Sequence, residues 1–220
     1  MDNAEILRRV DHTLLAAHAA EEDILRLCAE AVQYQTASVC IPPSYVALAK
    51  ARYPALNVCT VIGFPLGYAA TEAKLAEVER ALADGCDEFD MVINVTWAAN
   101  GQFDKITAEI AALKALAGDK ILKVIIETCY LNEAQKIALC QCVTDAGADY
   151  IKTSTGFGTA GAVMADIELF KRHIGPNIKI KAAGGVRTRE DMEAFIAAGC
   201  DRIGTSGAVK ALAGEENKGY

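Results

Sequence analysis

The sequence predicts a single-domain (β/α)8 barrel of the TIM class, and three observations predict it. Eight short runs of strand character alternate with longer amphipathic helical stretches along the 220 residues. That length suits eight compact βα units near the lower size limit of the fold. A short pattern also recurs before three of the runs: ADGCDEFD at 83–90, DAGADYIK at 145–152 and AAGCDRIG at 197–204. The same alternation could build a doubly wound open sheet, which is the competing architecture.

The strands are expected, in order, at 9–12 (RVDH), 38–41 (SVCI), 56–62 (LNVCTVI), 87–92 (DEFDMV), 121–126 (ILKVII), 149–152 (DYIK), 178–182 (IKIKA) and 202–205 (RIGT). The first two are the weakest signals. Between them, Leu75, Val78 and Leu82 are spaced to share one helix face, and so are Phe103, Ile106, Ile110 and Leu113. Thr188 followed by Asp191 has the spacing of a capping box, and Gly85, Gly147 and Gly199 stand where helices should end. Five residues after each of these glycines come Asp90, Lys152 and Gly204. Equal offsets on the fourth, sixth and eighth strands predict equal heights, because alternate strands share the layers of side chains inside a barrel.

Composition narrows the function. A net charge of −7 without a basic tract excludes ordinary nucleic-acid binding. No apolar stretch approaches a membrane span, and the N-terminus has no apolar signal core, so a cytoplasmic protein is expected. The eight cysteines lie mostly in apolar segments without a CxxC pair, as small buried thiols in a reducing compartment. His12, His18 and His173 have no zinc spacing, so no metal and no cofactor is expected. GFGTAG at 156–161 matches a dinucleotide fingerprint, but the next strand ends in Lys181 and glycines, not in the acidic residue that would hold a ribose. A glycine-rich turn beside an active site explains it better.

Charge inside strands is the informative anomaly. Glu88 and Asp90 share a face of the fourth strand, Lys123 lies in the fifth with Glu127 on the same parity, Lys152 ends the sixth, and Lys179 and Lys181 share a face of the seventh. A dry barrel interior tolerates such groups only when they are paired or shifted in pKa. For Glu88 and Lys179 an interior salt bridge or a solvent-reaching tip is the plainer reading. Asp90, Lys152 and Lys181 sit near the C-terminal strand ends, where barrel enzymes carry their chemistry. A lysine attacks a carbonyl only as the free amine, and its ordinary pKa of about 10.4 leaves little of that form at neutral pH. A second ammonium, Lys181, beside Lys152 would favour the free amine. Lys152 could then form an iminium, Asp90 could move protons, and Lys123 could hold Asp90 in place. Loops after the last two strands, AAGGVRT at 182–188 and GTSGAV at 204–209, offer Gly184, Gly185, Gly204, Ser206 and Gly207 as phosphate ligands.

VDHTLL (10–15), ASVCIPPSYV (37–46), VIGFPLG (61–67), EFDMVINV (88–95), LKVIIET (122–128), YIKTSTGF (150–157) and IKAAGGVRT (180–188) together resemble the deoxyribose-phosphate aldolase family from about residue 10 to 210. The resemblance implies a metal-independent class I lyase that cleaves 2-deoxy-D-ribose 5-phosphate to glyceraldehyde 3-phosphate and acetaldehyde in deoxyribose phosphate catabolism. Its partners would be these small molecules, with a homodimer compatible with the family although no interface is legible in the residues. By motif, Lys152 is implied as the Schiff-base lysine, Lys181 as its perturber, Asp90 as the proton carrier and Lys123 as support. Asp11 and Cys40 are implied to line the pocket. Residues 213–220 are expected to form a mobile tail that brings Tyr220 to the site. Phe157 departs from members that carry a basic residue after STG, which would leave the phosphate to backbone amides, Ser206 and the nearby Arg187. A sugar-phosphate isomerase, a different Schiff-base aldolase and a non-catalytic sugar-phosphate binder are the alternatives.

Overall fold

The computed structural model describes residues 1–212. The expected tail with Tyr220 lies outside the described residues. The elements are α1 (Asn3–Leu7), β1 (Val10–Thr13), α2 (Glu21–Tyr34), β2 (Ser38–Ile41), α3 (Val46–Arg52), β3 (Val58–Ile62), α4 (Thr71–Ala83), β4 (Glu88–Val92), α5 (Val95–Ala99), α6 (Phe103–Ala117), β5 (Ile121–Ile125), α7 (Glu133–Asp145), β6 (Tyr150–Lys152), α8 (Met164–His173), β7 (Lys179–Ala183), α9 (Arg189–Ala198), β8 (Arg202–Thr205) and α10 (Ala208–Leu212). The strands are all parallel and close into a barrel in sequence order, so the open sheet is excluded. No helix among the described residues is long and apolar enough to cross a membrane.

Period-two alternation separates two interiors. On β4, Phe89 and Met91 face outward into the shell shared with the helices, while Glu88 and Asp90 face the barrel axis; all four are buried. Ile106, Ile110 and Leu113 of α6 fill that shell, with Phe103 half-buried at its edge. On α4 the expected face is rotated: Lys74, Val78 and Ala81 are the buried row, and Leu75 and Leu82 flank it. Lys74 is buried because it has partners. Its ammonium donates to Glu109 of α6 and to the Val92 carbonyl, both at 2.8 Å.

The recurring pattern has a structural cause. Gly85, Gly147 and Gly199 take positive φ angles of 89°, 70° and 112° at the helix ends, a conformation that costs glycine little. The aspartate two residues later then accepts a backbone N–H at the start of the preceding strand. Asp87 takes Val58, Asp149 takes Leu122 and Asp201 takes Ile180, at 3.1, 2.8 and 3.0 Å. Each repeat therefore satisfies one otherwise free donor at the foot of the barrel. The Thr188–Asp191 capping box is present as expected.

Register places the inward residues in tiers. Pairing runs from Asp90 to Lys123 to Tyr150, and two residues further along β6 is Lys152. The same step passes through Lys181 and Arg202 to Gly204, then through Asp11 and Ser38 to Cys40, and through Cys59 and Glu88 back to Asp90. The four steps climb eight residues in all, the shear of this barrel class. The upper tier is thus Cys40, Asp90, Lys152 and Gly204. Below it lie Asp11, Cys59, Lys123 and Lys181, and below them Ser38, Glu88, Tyr150 and Arg202. Such tiers are usually aliphatic. Here they hold three carboxyl groups, three lysines and an arginine.

Candidate active site

The charges form one connected network. Lys123 is its hub, with Nζ 2.6 Å from Glu88 Oε2, 2.8 Å from Asp90 Oδ1 and 3.6 Å from Asp11 Oδ2. The other oxygen of Asp90, Oδ2, accepts from Lys152 at 2.7 Å and from Lys181 at 2.6 Å. Lys181 also donates a short hydrogen bond to Asp11 Oδ2. Asp11 Oδ1 in turn accepts from Ser38 at 2.7 Å and Arg202 at 2.5 Å, and Arg202 reaches Glu88 at 3.1 Å.

These contacts decide the protonation states. Burial pushes Asp90 upward, but the ammoniums of Lys123, Lys152 and Lys181 outweigh it and hold the carboxyl well below its usual range. Asp11 is likewise lowered, since Lys123, Lys181 and Arg202 together overcome its burial. Lys181 is raised because Asp11 and Asp90 outweigh its desolvation, so it stands as an ammonium. The expected neighbouring cation is therefore present, with the Asp90 carboxylate between it and Lys152.

Lys152 also faces a cavity of about 130 Å³ at the C-terminal mouth. Gly184, Gly185, Arg187 and Ser206 line the same cavity, as does Phe157. Both glycines have positive φ, 83° and 77°. A Cβ on Gly184 would lie 3.0 Å from the Cα of Gly161. This packing explains GFGTAG: Ala162 donates to the Gly184 carbonyl at 3.0 Å, and a Cβ on Gly161 would lie 2.1 Å from that oxygen. The motif docks one loop onto another. Phe157, exposed at the rim, packs edge-on against Phe64 with ring centroids 5.3 Å apart.

Several expected positions differ in detail. Gly207 is not among the lining residues, and its amide is engaged by Thr205 Oγ1 at 3.3 Å. Gly204 does line the cavity, but it also clears space, since a Cβ there would come within 3.1 Å of Lys181 Cε. Asp11 sits one tier below Lys152, fully buried, and is joined to it through Lys181 and Asp90. Cys40 is level with Lys152 in a small apolar cluster with Leu15, Cys59 and Val61. Glu88 is an interior salt-bridge partner, whereas Lys179 is exposed at the opposite mouth, 5.6 Å from the Tyr150 ring centre. Glu127 lies beyond β5, where it accepts the amide and hydroxyl of Thr155.

Arg202 and Cys59 escape a reading of the sequence. Arg202 opens its strand and looks like a surface residue, yet it has the inward parity of Gly204. Cys59 looks like one more core thiol, yet its sulfur is 3.2 Å from both Lys123 Nζ and Asp90 Oδ1. Parity alone could have found both.

The model of the DeoC/LacD family aldolase matches residues 6–213. The chain belongs to this aldolase family. A deoxyribose-phosphate aldolase of Clostridium botulinum (strain Eklund 17B / Type B) is 62% identical over 221 residues, covering all of both chains. One from Clostridioides difficile (strain 630) is 53% identical over 98% of this chain and 99% of its own. Among solved structures of the family, a putative deoxyribose-phosphate aldolase from Coccidioides immitis superposes with a TM-score of 0.94 at 37% identity, over 97% of this chain and 87% of that one. The Aeropyrum pernix enzyme, described as a tetramer, gives 0.91 at 32% identity over 96% and 91%.

Proposed function

We propose that this chain cleaves 2-deoxy-D-ribose 5-phosphate reversibly to glyceraldehyde 3-phosphate and acetaldehyde through a Schiff base on Lys152. One observation carries the assignment of residues. Among the barrel's interior cations, Lys152 is the one that both touches Asp90 and faces the mouth cavity. Its free amine adds to the aldehyde carbon of the open-chain sugar, and loss of water gives the iminium. The iminium accepts the electron pair released as the bond between C2 and C3 breaks. Proton removal from the C3 hydroxyl completes that step and frees glyceraldehyde 3-phosphate. Protonation of the remaining enamine and hydrolysis then release acetaldehyde and the amine.

Asp90 and Lys181 are suited to move these protons. Asp90 is a carboxylate throughout the neutral range, and Lys181 is an ammonium joined to the same oxygen. Both groups lie within hydrogen-bond reach of the Lys152 nitrogen or of the oxygen it touches, so protons can pass between them as the amine attacks. The sugar phosphate is assigned to the amides of Gly184 and Gly185, with Ser206 and Arg187 beside them. All eight cysteines are free, which supports a reducing, cytoplasmic setting.

The test is turnover of deoxyribose 5-phosphate, followed by NMR. Appearance of acetaldehyde and glyceraldehyde 3-phosphate, unaffected by a chelator, is the expected result. A rearranged five-carbon sugar phosphate would indicate an isomerase, and binding without turnover would indicate a sugar-phosphate binder.

A further inference from the structure

Cys40 and Cys59 are Cα partners on adjacent parallel strands. Parallel neighbours lie about 4.8 Å apart, inside the roughly 4.4–6.8 Å span that a disulfide bridges. Both residues face the barrel axis in the tiers defined above. Their sulfurs and an oxygen of Asp90 lie within 4.8 Å of one another. Among the described residues, this trio is the one group of thiols and carboxylates close enough to share a small ligand. A resident metal ion is nonetheless a poor fit. Lys123, Lys152 and Lys181 already donate to Asp90, and Lys123 also reaches Cys59. What the trio offers instead is two thiols in bonding range beside a cluster of positive charge.

We propose that Cys40 and Cys59 form an oxidative modification site that takes a peroxide and closes to a reversible disulfide across β2 and β3. Cys40 is the attacking sulfur. The Cys59 thiol hydrogen-bonds to it and draws its pKa below the usual thiol range, outweighing the opposing pull of burial. Cys59 is held in the opposite sense, since burial, the Cys40 sulfur and Asp90 all keep its proton on. Cys40 also belongs to the upper tier and Cys59 to the tier below it, so the sulfur nearer the mouth is the nucleophile and the deeper one the resolving thiol.

Cys40 is fully buried, but Leu15, which packs in the same small cluster, lines the mouth cavity. A peroxide in that cavity therefore has to pass only the Leu15 side chain, and hydrogen peroxide is smaller than the acetaldehyde that Lys152 is proposed to meet there. The chemistry balances in two steps. The Cys40 thiolate attacks one peroxide oxygen, the O–O bond breaks, and hydroxide leaves a sulfenic acid on Cys40. Cys59 then attacks that sulfur, an S–S bond forms, and the displaced hydroxide takes the Cys59 proton as water. Two thiols are oxidised while one peroxide is reduced to two waters. The bond removes a thiol that lies 3.2 Å from Asp90 and from Lys123, so the oxidised protein should lose activity until it is reduced.

The experiment treats the full-length protein with hydrogen peroxide, blocks the remaining thiols, and maps the digest by mass spectrometry alongside activity. The expected product is a peptide pair joined Cys40 to Cys59, two hydrogens lighter than the free thiols. Activity should fall at least about tenfold and return with dithiothreitol; a tenfold change is about 1.4 kcal/mol. In Cys59→Ala, Cys40 should pass to the sulfinic acid, which dithiothreitol does not reverse. A Cys40 sulfinic acid in the wild type with Cys59 left free would overturn the proposal, and so would unmodified Cys40 after other cysteines have oxidised. Peptide mapping is independent of the aldolase assignment, so the two can fail separately.

Discussion

Asp90 Oδ2 lies 2.7 Å from Lys152 Nζ and 2.6 Å from Lys181 Nζ, so one carboxylate oxygen joins amines from two adjacent strands. A proton leaving either lysine meets the same acceptor. Asp90→Asn keeps the shape and removes the acceptor's charge. It should lower kcat by about 10²–10⁴-fold with a smaller change in KM. Exchange of acetaldehyde methyl protons with D₂O, followed by NMR, should vanish. Exchange at the wild-type rate would rule out Asp90 as the proton carrier.

The same network sets acid stability. Asp11 and Asp90 have folded pKa values below the unfolded value of 3.8. Their stabilisation is therefore complete above about pH 4 and lost as the pH falls through the lower folded values. Lys123 and Lys181 are raised above 10.5, so their contribution is complete below that pH and lost only as the pH climbs past the folded values. Denaturant titrations should thus show this network fully stabilising from about pH 5 to 10. Asp11→Asn, which leaves Lys181 and Arg202 short of a buried counter-charge, should cost about 3–5 kcal/mol at pH 7. The gap from wild type should narrow below about pH 4, and a gap that widens there would refute the charge assignment.

Gly204→Ala tests the room left for Lys181. The added Cβ would lie 3.1 Å from Lys181 Cε and 3.0 Å from the Ala183 Cβ. Overpacking of this kind costs about 1–3 kcal/mol. Thermal unfolding should report that loss, and kcat should fall because the ammonium moves off Asp90. A variant with unchanged Tm and kcat would show that Gly204 serves no spacing role.

The phosphate assignment separates binding from chemistry. Arg187→Ala should raise KM for deoxyribose 5-phosphate by about tenfold, equivalent to about 1.4 kcal/mol, and leave cleavage of unphosphorylated deoxyribose unchanged. An equal loss on both sugars would move Arg187 from the phosphate subsite to the catalytic network.

Much of this was legible in the chain. Alternation located all eight strands to within two residues, and equal offsets from Gly85, Gly147 and Gly199 put Asp90, Lys152 and Gly204 on one tier. Asp90, Lys152 and Lys181 stood out because charge inside a strand has few structural excuses. Arg202, Cys59 and Lys74 were hidden for the converse reason. Arginine at a strand's start and lysine on an amphipathic helix normally reach solvent, and a cysteine among valines normally only packs. Their roles depend on Glu88, Asp90 and Glu109, brought close by barrel closure and helix packing, not by sequence spacing.

Reductive trapping asks whether Lys152 is the amine that forms the iminium. The protein is incubated with acetaldehyde and borohydride, digested, and mapped by mass spectrometry. The expected result is an ethyl group on Lys152, none on Lys181 or Lys123, and loss of activity in step with the labelling. Ethylation of Lys181 instead, or inactivation without any label on Lys152, would contradict it.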